Sequence, residues 1–303
     1  MKVQNPDGHV LFMRDIYKVY GNKTVLENID FTVSPGEFCS LVGPSGSGKS
    51  TLFRMITGEE KPTSGVVLIN NEHGGYPDTR RGIVYQKYPL FSNLTVLDNV
   101  LFGRRMTSST IEWYIKKKEF RDEAEYFLKR VRMEEHLKKK PYQLSGGQQQ
   151  RVAIVRSLIV HPKILMMDEP FSGLDAGVRE NIQLFLLELW HEFNMTIIFV
   201  THTIEEAVYL GTRLIVLSQY YTDDRGEKIP RGARIVGDYS IRKTGTINPT
   251  TFKQSTEFTD LIAEVTQEIS DPTHLQHVRD FHLKHQDSFQ TLTLDEDHSI
   301  EEG

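Results

Sequence analysis

The amino-acid sequence predicts an α/β protein built around a parallel sheet with helical crossovers. Three apolar stretches support this prediction, because each is typical of a buried strand and each runs directly into polar or glycine-rich residues: 37–42, 163–167 and 196–200. The intervals between them are long enough for crossover helices. The carboxyl ends of the three strands should therefore meet at one edge of the sheet.

Length and composition fit one large domain with an appendage. The chain has 303 residues and a net charge of −5, so it carries no strongly basic field of the kind that attracts nucleic acid or anionic membrane. The apolar stretch 10–13 is interrupted at once by charged residues, unlike a signal peptide, and no run approaches the roughly 18 apolar residues of a membrane helix. The single cysteine, Cys39, excludes an internal disulfide and is expected to be a packing residue in a reducing compartment.

The first part of the chain predicts β-strands. Residues 10–33 read as strands separated by a turn after Tyr20, and the alternation in 27–33 predicts a half-buried strand. Residues 66–69 and 81–85 predict two more strands, the second of which leads into Gln86.

The stretch 43–51 matches the pattern G-x-x-x-x-G-K-[S/T] at every fixed position. Its glycines allow a bend in which successive N–H groups point inward and cradle phosphate oxygens, and the following helix adds positive partial charge. Lys49 is expected to reach the outer phosphates and the Ser50 hydroxyl to hold Mg²⁺. The sequence thus predicts a bound nucleoside triphosphate, in contact with the whole loop: Gly43, Pro44, Ser45, Gly46, Ser47, Gly48, Lys49, Ser50 and Thr51.

A mostly helical region is predicted from about Val96 to Leu137, followed by a helix that opens at residues 144–148, Leu-Ser-Gly-Gly-Gln. Ser145 is the predicted N-cap of this helix. Gly146 and Gly147 would let another group approach the backbone closely, with Gln148 beside them.

Two carboxylates and a histidine follow the later strands. Asp168, at a strand end, is a candidate Mg²⁺ ligand, and Glu169 could polarise an attacking water. Residues 172–175 predict a tight turn that ends at Asp175, and His202 could contact a terminal phosphate. Each of these residues alone could be a solvated strand end or loop, but their order and spacing favour the functional interpretation.

Together, these motifs resemble the nucleotide-binding subunits of ABC transporters, over roughly residues 8 to 220. The resemblance implies a P-loop NTPase core with a parallel sheet, an antiparallel β subdomain and a helical signature subdomain. It implies ATP and Mg²⁺ as cofactors, with Tyr20 stacking on adenine and Gln86 sensing Mg²⁺ and the membrane partner. Residues 144–148 match the family signature, 172–175 the D-loop, and His202 the switch histidine.

The resemblance also implies that two cassettes sandwich two ATP molecules, each phosphate loop facing Ser145 and Gly147 of the other subunit. Departures from the usual pattern occur at Val155, Ser157, Gly173 and Thr203. Since none has an assigned chemical role, we expect full ATPase competence.

Three functions are compatible with such a cassette: an importer ATPase, an ATPase of an exporter or lipid-handling system, and an ABC-type ATPase acting on DNA or ribosomes. The last is disfavoured because the chain carries one cassette and no heptad run. Residues 88–100 and 201–218 resemble the nitrate, sulfonate and taurine importer ATPases. The expected partners are a second copy or a paralogous ATPase subunit, permease subunits and, indirectly, a substrate-binding protein, without nucleic acid. The permease is expected to dock on residues 86–100, where the loop at 88–91 is large and apolar. The expected location is peripheral, on the cytoplasmic face of the inner membrane.

We predict an ABC ATPase domain at 8–230, with its helical subdomain at about 88–160, and a strand-and-helix extension at 231–270. Residues 271–303 read as a polar, flexible tail, and truncation after Ser270 should keep ATP affinity, basal hydrolysis and most of the thermal stability. The tail includes four histidines, 274, 277, 282 and 285, which we interpret as solvated in preference to a metal site.

Overall fold

A computed structural model of the chain describes residues 8–87, 89–225, 231–270 and 275–291. The strands are β1 (Leu11–Tyr20), β2 (Lys23–Val33), β3 (Phe38–Val42), β4 (Ser64–Ile69), β5 (Glu72–His73), β6 (Arg81–Val84), β7 (Ile164–Asp168), β8 (Ile197–Val200), β9 (Arg213–Ser218), β10 (Tyr221–Thr222), β11 (Arg234–Ser240), β12 (Gln276–His277) and β13 (His282–Leu283). The α-helices are α1 (Lys49–Thr57), α2 (Val96–Thr107), α3 (Thr110–Arg130), α4 (Gly146–Leu158), α5 (Ala176–Phe193), α6 (Ile204–Leu210) and α7 (Thr256–Ser270).

The chain folds into two compact units. The first unit combines Met1–Pro77 with Asn194–Gly303, and the second is the continuous stretch Asp78–Phe193. Among the described residues, no helix has the length and apolar character needed to cross a membrane.

An antiparallel sheet in the first unit has the strand order β2-β1-β4-β5. The predicted strands at 10–33 are confirmed as β1 and β2, paired from Leu11–Val33 to Tyr20–Lys23. The prediction that the second is half-buried is wrong, because every residue from Leu26 to Val33 is buried.

The central strand of the first unit is β3, which lies parallel to both β8 and β9. β9 continues the sheet into antiparallel β11, and β11 pairs in parallel with β13. All five residues of β3 are buried. Burial raises the pKa of the Cys39 thiol well above its ordinary value, which fits the predicted packing role.

Residues 275–291 pack within the first unit, against β1 and β2, so the prediction of a flexible tail is wrong for this segment. The Thr32 hydroxyl donates to the backbone oxygen of Asp287 at 3.0 Å, and Phe12 stacks on Phe289 with ring centroids 5.8 Å apart. The segment covers the polar side of β2 through contacts with Asn28, Asp30 and Thr32, which explains why that side is buried. The remaining parts of the predicted tail, 271–274 and 292–303, lie outside the described residues.

The histidines of this segment also differ from the prediction of solvated side chains. His285 is largely buried and lies 3.4 Å from Glu37, while His282 contacts the carboxylates of α7. His277 is half-buried beside Asp224, and His274 lies outside the described residues. The sequence indicated only that these residues are polar, and their partners come from distant parts of the chain.

The second unit pairs β6 and β7 in parallel and carries α2 to α5. Helix starts are marked by side-chain caps: Thr95 accepts from the Asp98 N–H, and Ser109 from the Glu112 N–H. The predicted helical region at 96–137 is confirmed as α2, α3 and a short 3₁₀ turn at Glu134–His136.

Candidate functional site

The predicted phosphate loop connects β3, which ends at Val42, to α1, which begins at Lys49. Gly46 and Gly48 have φ of +83° and +88°, a conformation that side-chain-bearing residues rarely adopt. The sequence expectation of a strand, a glycine-rich turn and a helix is therefore confirmed.

Positive charge and hydroxyl groups gather within this loop. The Lys49 ammonium donates to the backbone oxygens of Gly43 and Pro44 at 2.7 and 2.9 Å. The Ser47 hydroxyl is buried without a hydrogen-bond partner among the described residues, while the Ser50 side chain is exposed at the first turn of α1. An ammonium, hydroxyls and a helix N-terminus form a donor set that fits phosphate oxygens, and an exposed serine hydroxyl fits an accompanying Mg²⁺.

His202 follows β8, the strand parallel to β3. The Thr201 N–H donates to the Leu41 oxygen at 3.2 Å, so the ends of the two strands are in register. The Thr201 hydroxyl donates to the Glu206 carboxylate and accepts from the Thr203 N–H, which fixes the backbone on both sides of the exposed histidine. The phosphate loop and His202 thus leave the same edge of the first unit's sheet.

Tyr20 lies at the end of β1 with 43% of its surface exposed. Its hydroxyl donates to the Glu60 carboxylate at 2.5 Å, and the Lys18 ammonium lies 4.9 Å from the ring centroid. Sequence reasoning did not find Glu60 or Lys18 as partners, because neither belongs to a motif. Adenine stacking by Tyr20 stays a prediction.

In the second unit, the carboxyl ends of β6 and β7 bring three candidate residues to one edge. Asp168 is the last residue of β7, and Glu169 follows with φ of +43°. Such a backbone costs a non-glycine residue about 1–3 kcal/mol and often accompanies a functional role. Gln86 follows β6 closely, and its amide donates to the Ser172 hydroxyl at 3.0 Å.

Residues 172–175 form a turn that is held by interactions with its own neighbours in the chain. Gly173 has φ of +77°, which gives a physical reason for glycine in place of the usual alanine. Asp175 accepts from the Val178 N–H at 2.9 Å, at the start of α5. In this structure Asp175 is therefore a helix cap, and a contact with nucleotide stays a prediction.

The signature residues form the start of α4, as predicted. Ser145 accepts from the Gln148 N–H at 3.3 Å, and the Gln148 side chain accepts from the Ser145 N–H at 3.0 Å, a reciprocal capping box. The Gln148 amide nitrogen also lies 3.0 Å from His136 Nε2, a neighbour that no sequence motif indicated.

Close approach to the signature glycines occurs within the second unit itself. A Cβ added at Gly147 would lie 2.5 Å from Val178 Cγ1 of α5, whereas one at Gly146 would meet Leu174 at an ordinary 3.6 Å. An alanine at 147 would therefore force Val178 to shift, independently of any nucleotide.

The predicted docking loop is anchored at its centre. Phe91 is 41% exposed, and its ring lies 4.5 Å from that of Phe102. The Asn99 side chain accepts from the Phe91 N–H at 2.8 Å and donates to the Phe91 carbonyl at 3.1 Å. Tyr88, which was included in this prediction, lies outside the described residues.

Comparison with known proteins agrees with these motifs. Residues 26–172 match the ABC transporter family model. The nitrate import ATP-binding protein NrtD of Synechocystis sp. is 38% identical over 262 residues, which cover 83% of this chain and 94% of that protein. An uncharacterised ABC transporter ATP-binding protein of Methanocaldococcus jannaschii is 42% identical over 219 residues, or 72% of this chain and 77% of that protein.

Solved structures show the same fold. CbiO1 from Clostridium perfringens, part of the CbiONQ transporter complex, superposes with a TM-score of 0.67 at 27% identity, over 87% of this chain and 96% of that one. The dimeric cassette MJ0796 with bound ADP and Pi superposes with a TM-score of 0.59 at 33% identity, over 77% of this chain and 99% of that one. The chain belongs to the ABC transporter ATP-binding proteins and is an ATPase with their α/β P-loop fold.

Proposed function

We propose that this chain is the ATP-hydrolysing subunit of a membrane importer for small solutes of the nitrate, sulfonate or taurine type. The supporting observation is the length of the match to NrtD, which covers 94% of that protein. The spermidine/putrescine ATPase PotA of Legionella pneumophila is 43% identical, but this chain spans only 58% of its length. Because the sequence similarity to NrtD continues beyond the ATP-binding cassette, it favours the nitrate, sulfonate and taurine importers over the polyamine importers.

We propose a division of roles among the motif residues. Lys49 neutralises charge on the outer phosphates, and Ser50, Gln86 and Asp168 hold Mg²⁺ with its waters. Glu169 polarises the attacking water, while His202 contacts the terminal phosphate. The ATPase domain at 8–230, its helical subdomain at about 88–160 and the extension at 231–270 are also part of this proposal.

Two ATPase copies would act together, each offering Ser145 and Gly147 to the phosphate loop of the other. The dimeric MJ0796 cassette supports this arrangement. Permease subunits would dock on residues 86–100, where the exposed Phe91 ring offers an apolar contact. The complex would then lie at the cytoplasmic face of the inner membrane, with this chain attached peripherally.

The direct test is reconstitution of the chain with its co-purifying membrane subunits in proteoliposomes. Nitrate, taurine and an alkanesulfonate, each with the matching binding protein, are offered outside, and ATP is supplied on the ATPase side. We expect one of these solutes to accumulate inside at the expense of ATP, with Lys49→Ala as the inactive control.

The alternative function, an ATPase of an exporter or lipid-handling system, predicts the opposite result. ATP-driven loss of a loaded solute or lipid, without any uptake, would overturn the importer proposal. The family assignment and the ATPase activity would stand in either case.

A further inference from the structure

Four polar side chains converge at the C-terminal part of the first unit. They are Tyr239 on β11, Glu264 and Glu268 on α7, and His282 on β13. The His282 Nδ1 atom lies 2.8 Å from Glu268 Oε1 and 3.2 Å from Glu264 Oε1. The Tyr239 hydroxyl lies 2.7 Å from Glu268 Oε1, 3.2 Å from Glu264 Oε1 and 2.8 Å from His282 Nδ1.

These separations approach those of ligands around one metal ion. Nitrogen and oxygen ligands at about 2.0–2.1 Å from a tetrahedral ion are about 3.3 Å from one another. Five of the six separations among these four donor atoms lie between 2.7 and 3.2 Å, so a small outward movement of each atom would admit an ion.

Negative charge in this cluster is poorly compensated. Glu264 and Glu268 lie one turn apart on α7, a spacing at which like charges repel. Glu268 is only 3% exposed, and it lies near the C-terminus of the helix, where the dipole is also negative. The last turn of α7 contains no basic residue.

The hydrogen bonds of the described residues reach only one of the two carboxylate oxygens of Glu268. Glu268 Oε1 is close to three groups: Tyr239, Gln276 and His282. Its second oxygen, Oε2, is buried without a hydrogen-bond partner among the described residues. A buried carboxylate oxygen in that condition is costly unless a cation or proton neutralises it.

The lysine beside this cluster, Lys284, contributes little to this neutralisation. Lys284 Nζ lies 3.8 Å from Glu264 Oε1, and its side chain is 64% exposed, so water screens its charge. A protonated His282 would provide one positive charge against two carboxylates, whereas a divalent ion would provide two. An imidazole with carboxylates is a donor set suited to Zn²⁺ and similar ions, more than to Mg²⁺.

We propose that Glu264, Glu268 and His282 form a binding site for a divalent transition-metal ion such as Zn²⁺, with the Tyr239 hydroxyl positioning the carboxylates. The ligands come from a helix and a strand, and Tyr239 comes from a second strand, so the ion would join β11, α7 and β13. The site involves none of the residues proposed for ATP and Mg²⁺, so it would act as a structural clamp on the C-terminal segment.

The test is Zn²⁺ titration of the full chain by calorimetry, without nucleotide, after chelator treatment and dialysis. We expect one high-affinity Zn²⁺ per chain. Glu264→Gln should weaken its binding by about a hundredfold or more, because it removes a ligand, and Tyr239→Phe by about 10–100-fold, because it removes support for one. Glu257→Gln is the matched control, since Glu257 is exposed in the first turn of the same helix. This variant should bind Zn²⁺ with the same affinity as the unmodified chain.

Co²⁺ provides a second readout that surface histidines do not reproduce. A four-coordinate site gives intense visible absorption, and we expect this band in the unmodified chain and in Glu257→Gln but not in Glu264→Gln. Glu264 is half-exposed and its replacement isosteric, so the metal-free variant should fold normally, which circular dichroism verifies.

Three outcomes would overturn the proposal. The unmodified chain could bind no Zn²⁺ tightly, or Glu264→Gln could bind it with unchanged affinity. The third outcome is loss of binding in His285→Asn but not in Glu264→Gln, which would assign the ion to the other candidate cluster, Glu37, His285 and Asp287.

Discussion

Replacement of Arg213 by methionine should strongly destabilise the protein. The Arg213 side chain is 1% exposed and pairs with Asp238 through two hydrogen bonds of 2.8 and 2.7 Å. A third hydrogen bond, of 2.9 Å, goes to the Thr32 oxygen, and Glu37 Oε2 lies 3.5 Å away. Methionine preserves the volume but leaves two buried carboxylates without their guanidinium. Removing one partner of such a pair costs about 3–5 kcal/mol, which is a factor of roughly a hundred to several thousand in the unfolding equilibrium.

The loss should depend on pH. Burial raises the pKa of Glu37, and Arg213 lowers it, so removal of the guanidinium raises this pKa further. A carboxyl group with a raised pKa in the folded state destabilises that state above this pKa, and the destabilisation is relieved as the pH falls through it. Arg213→Met should therefore lose more stability at about pH 8 than at about pH 5.

Urea unfolding at both pH values, followed by fluorescence and circular dichroism, measures the effect. The matched control is Arg130→Met, since Arg130 forms an ion pair with Glu192 but has a side chain that is 43% exposed. That change should leave stability almost unchanged at either pH, because water screens this exposed pair. A loss below about 1 kcal/mol in Arg213→Met, equal at both pH values, would refute the reasoning.

Three further predictions concern packing, the chain end and catalysis. Gly147→Ala should lose about 1–3 kcal/mol of stability, because the new Cβ would lie 2.5 Å from Val178 Cγ1. The control Gly146→Ala should keep its full stability, and equal denaturant melts of the two variants would contradict the prediction. Truncation after Ser270 should lower stability by about 2–4 kcal/mol, since it removes the buried Val278 and the Phe289 ring that stacks on Phe12. The melting temperature should fall accordingly, and an unchanged value would support the interpretation of this segment as a flexible tail. Glu169→Gln should retain ATP affinity and lose nearly all steady-state hydrolysis, because the water loses its base, and near-normal turnover would exclude that role.

Features determined by neighbouring residues were predictable from the sequence. The strand, loop and helix around Lys49 follow from a pattern contained in 37–57, and the Ser145 cap from a partner three residues away. The ends of β7 at Asp168 and of β8 at Val200 follow from apolar runs that end abruptly. The interactions in each case are local, so the pattern contains the needed information.

Features determined by distant residues were not predictable. The polar side of β2 is buried because Thr32 meets Asp287, which lies 255 residues later in the chain. Likewise, the need for glycine at 147 depends on Val178 of another helix, and the partners of His282 come from α7 and β11. An alternating polar pattern indicates that a side chain can tolerate water, but it does not indicate what covers it.

The insertion of one unit within the other has a consequence for synthesis on the ribosome. The phosphate-loop strand β3 emerges early, yet both its sheet neighbours, β8 and β9, are translated only after the whole of Asp78–Phe193. The inserted unit is continuous and can fold first, whereas both edges of β3 stay unpaired until β8 and β9 have been synthesised. Pairing across so long a stretch of chain is slow, because the entropy of closing the loop is lost before the contacts form. We therefore expect the nascent first unit to depend on chaperones until its late strands arrive, and the ability to bind ATP to be acquired last.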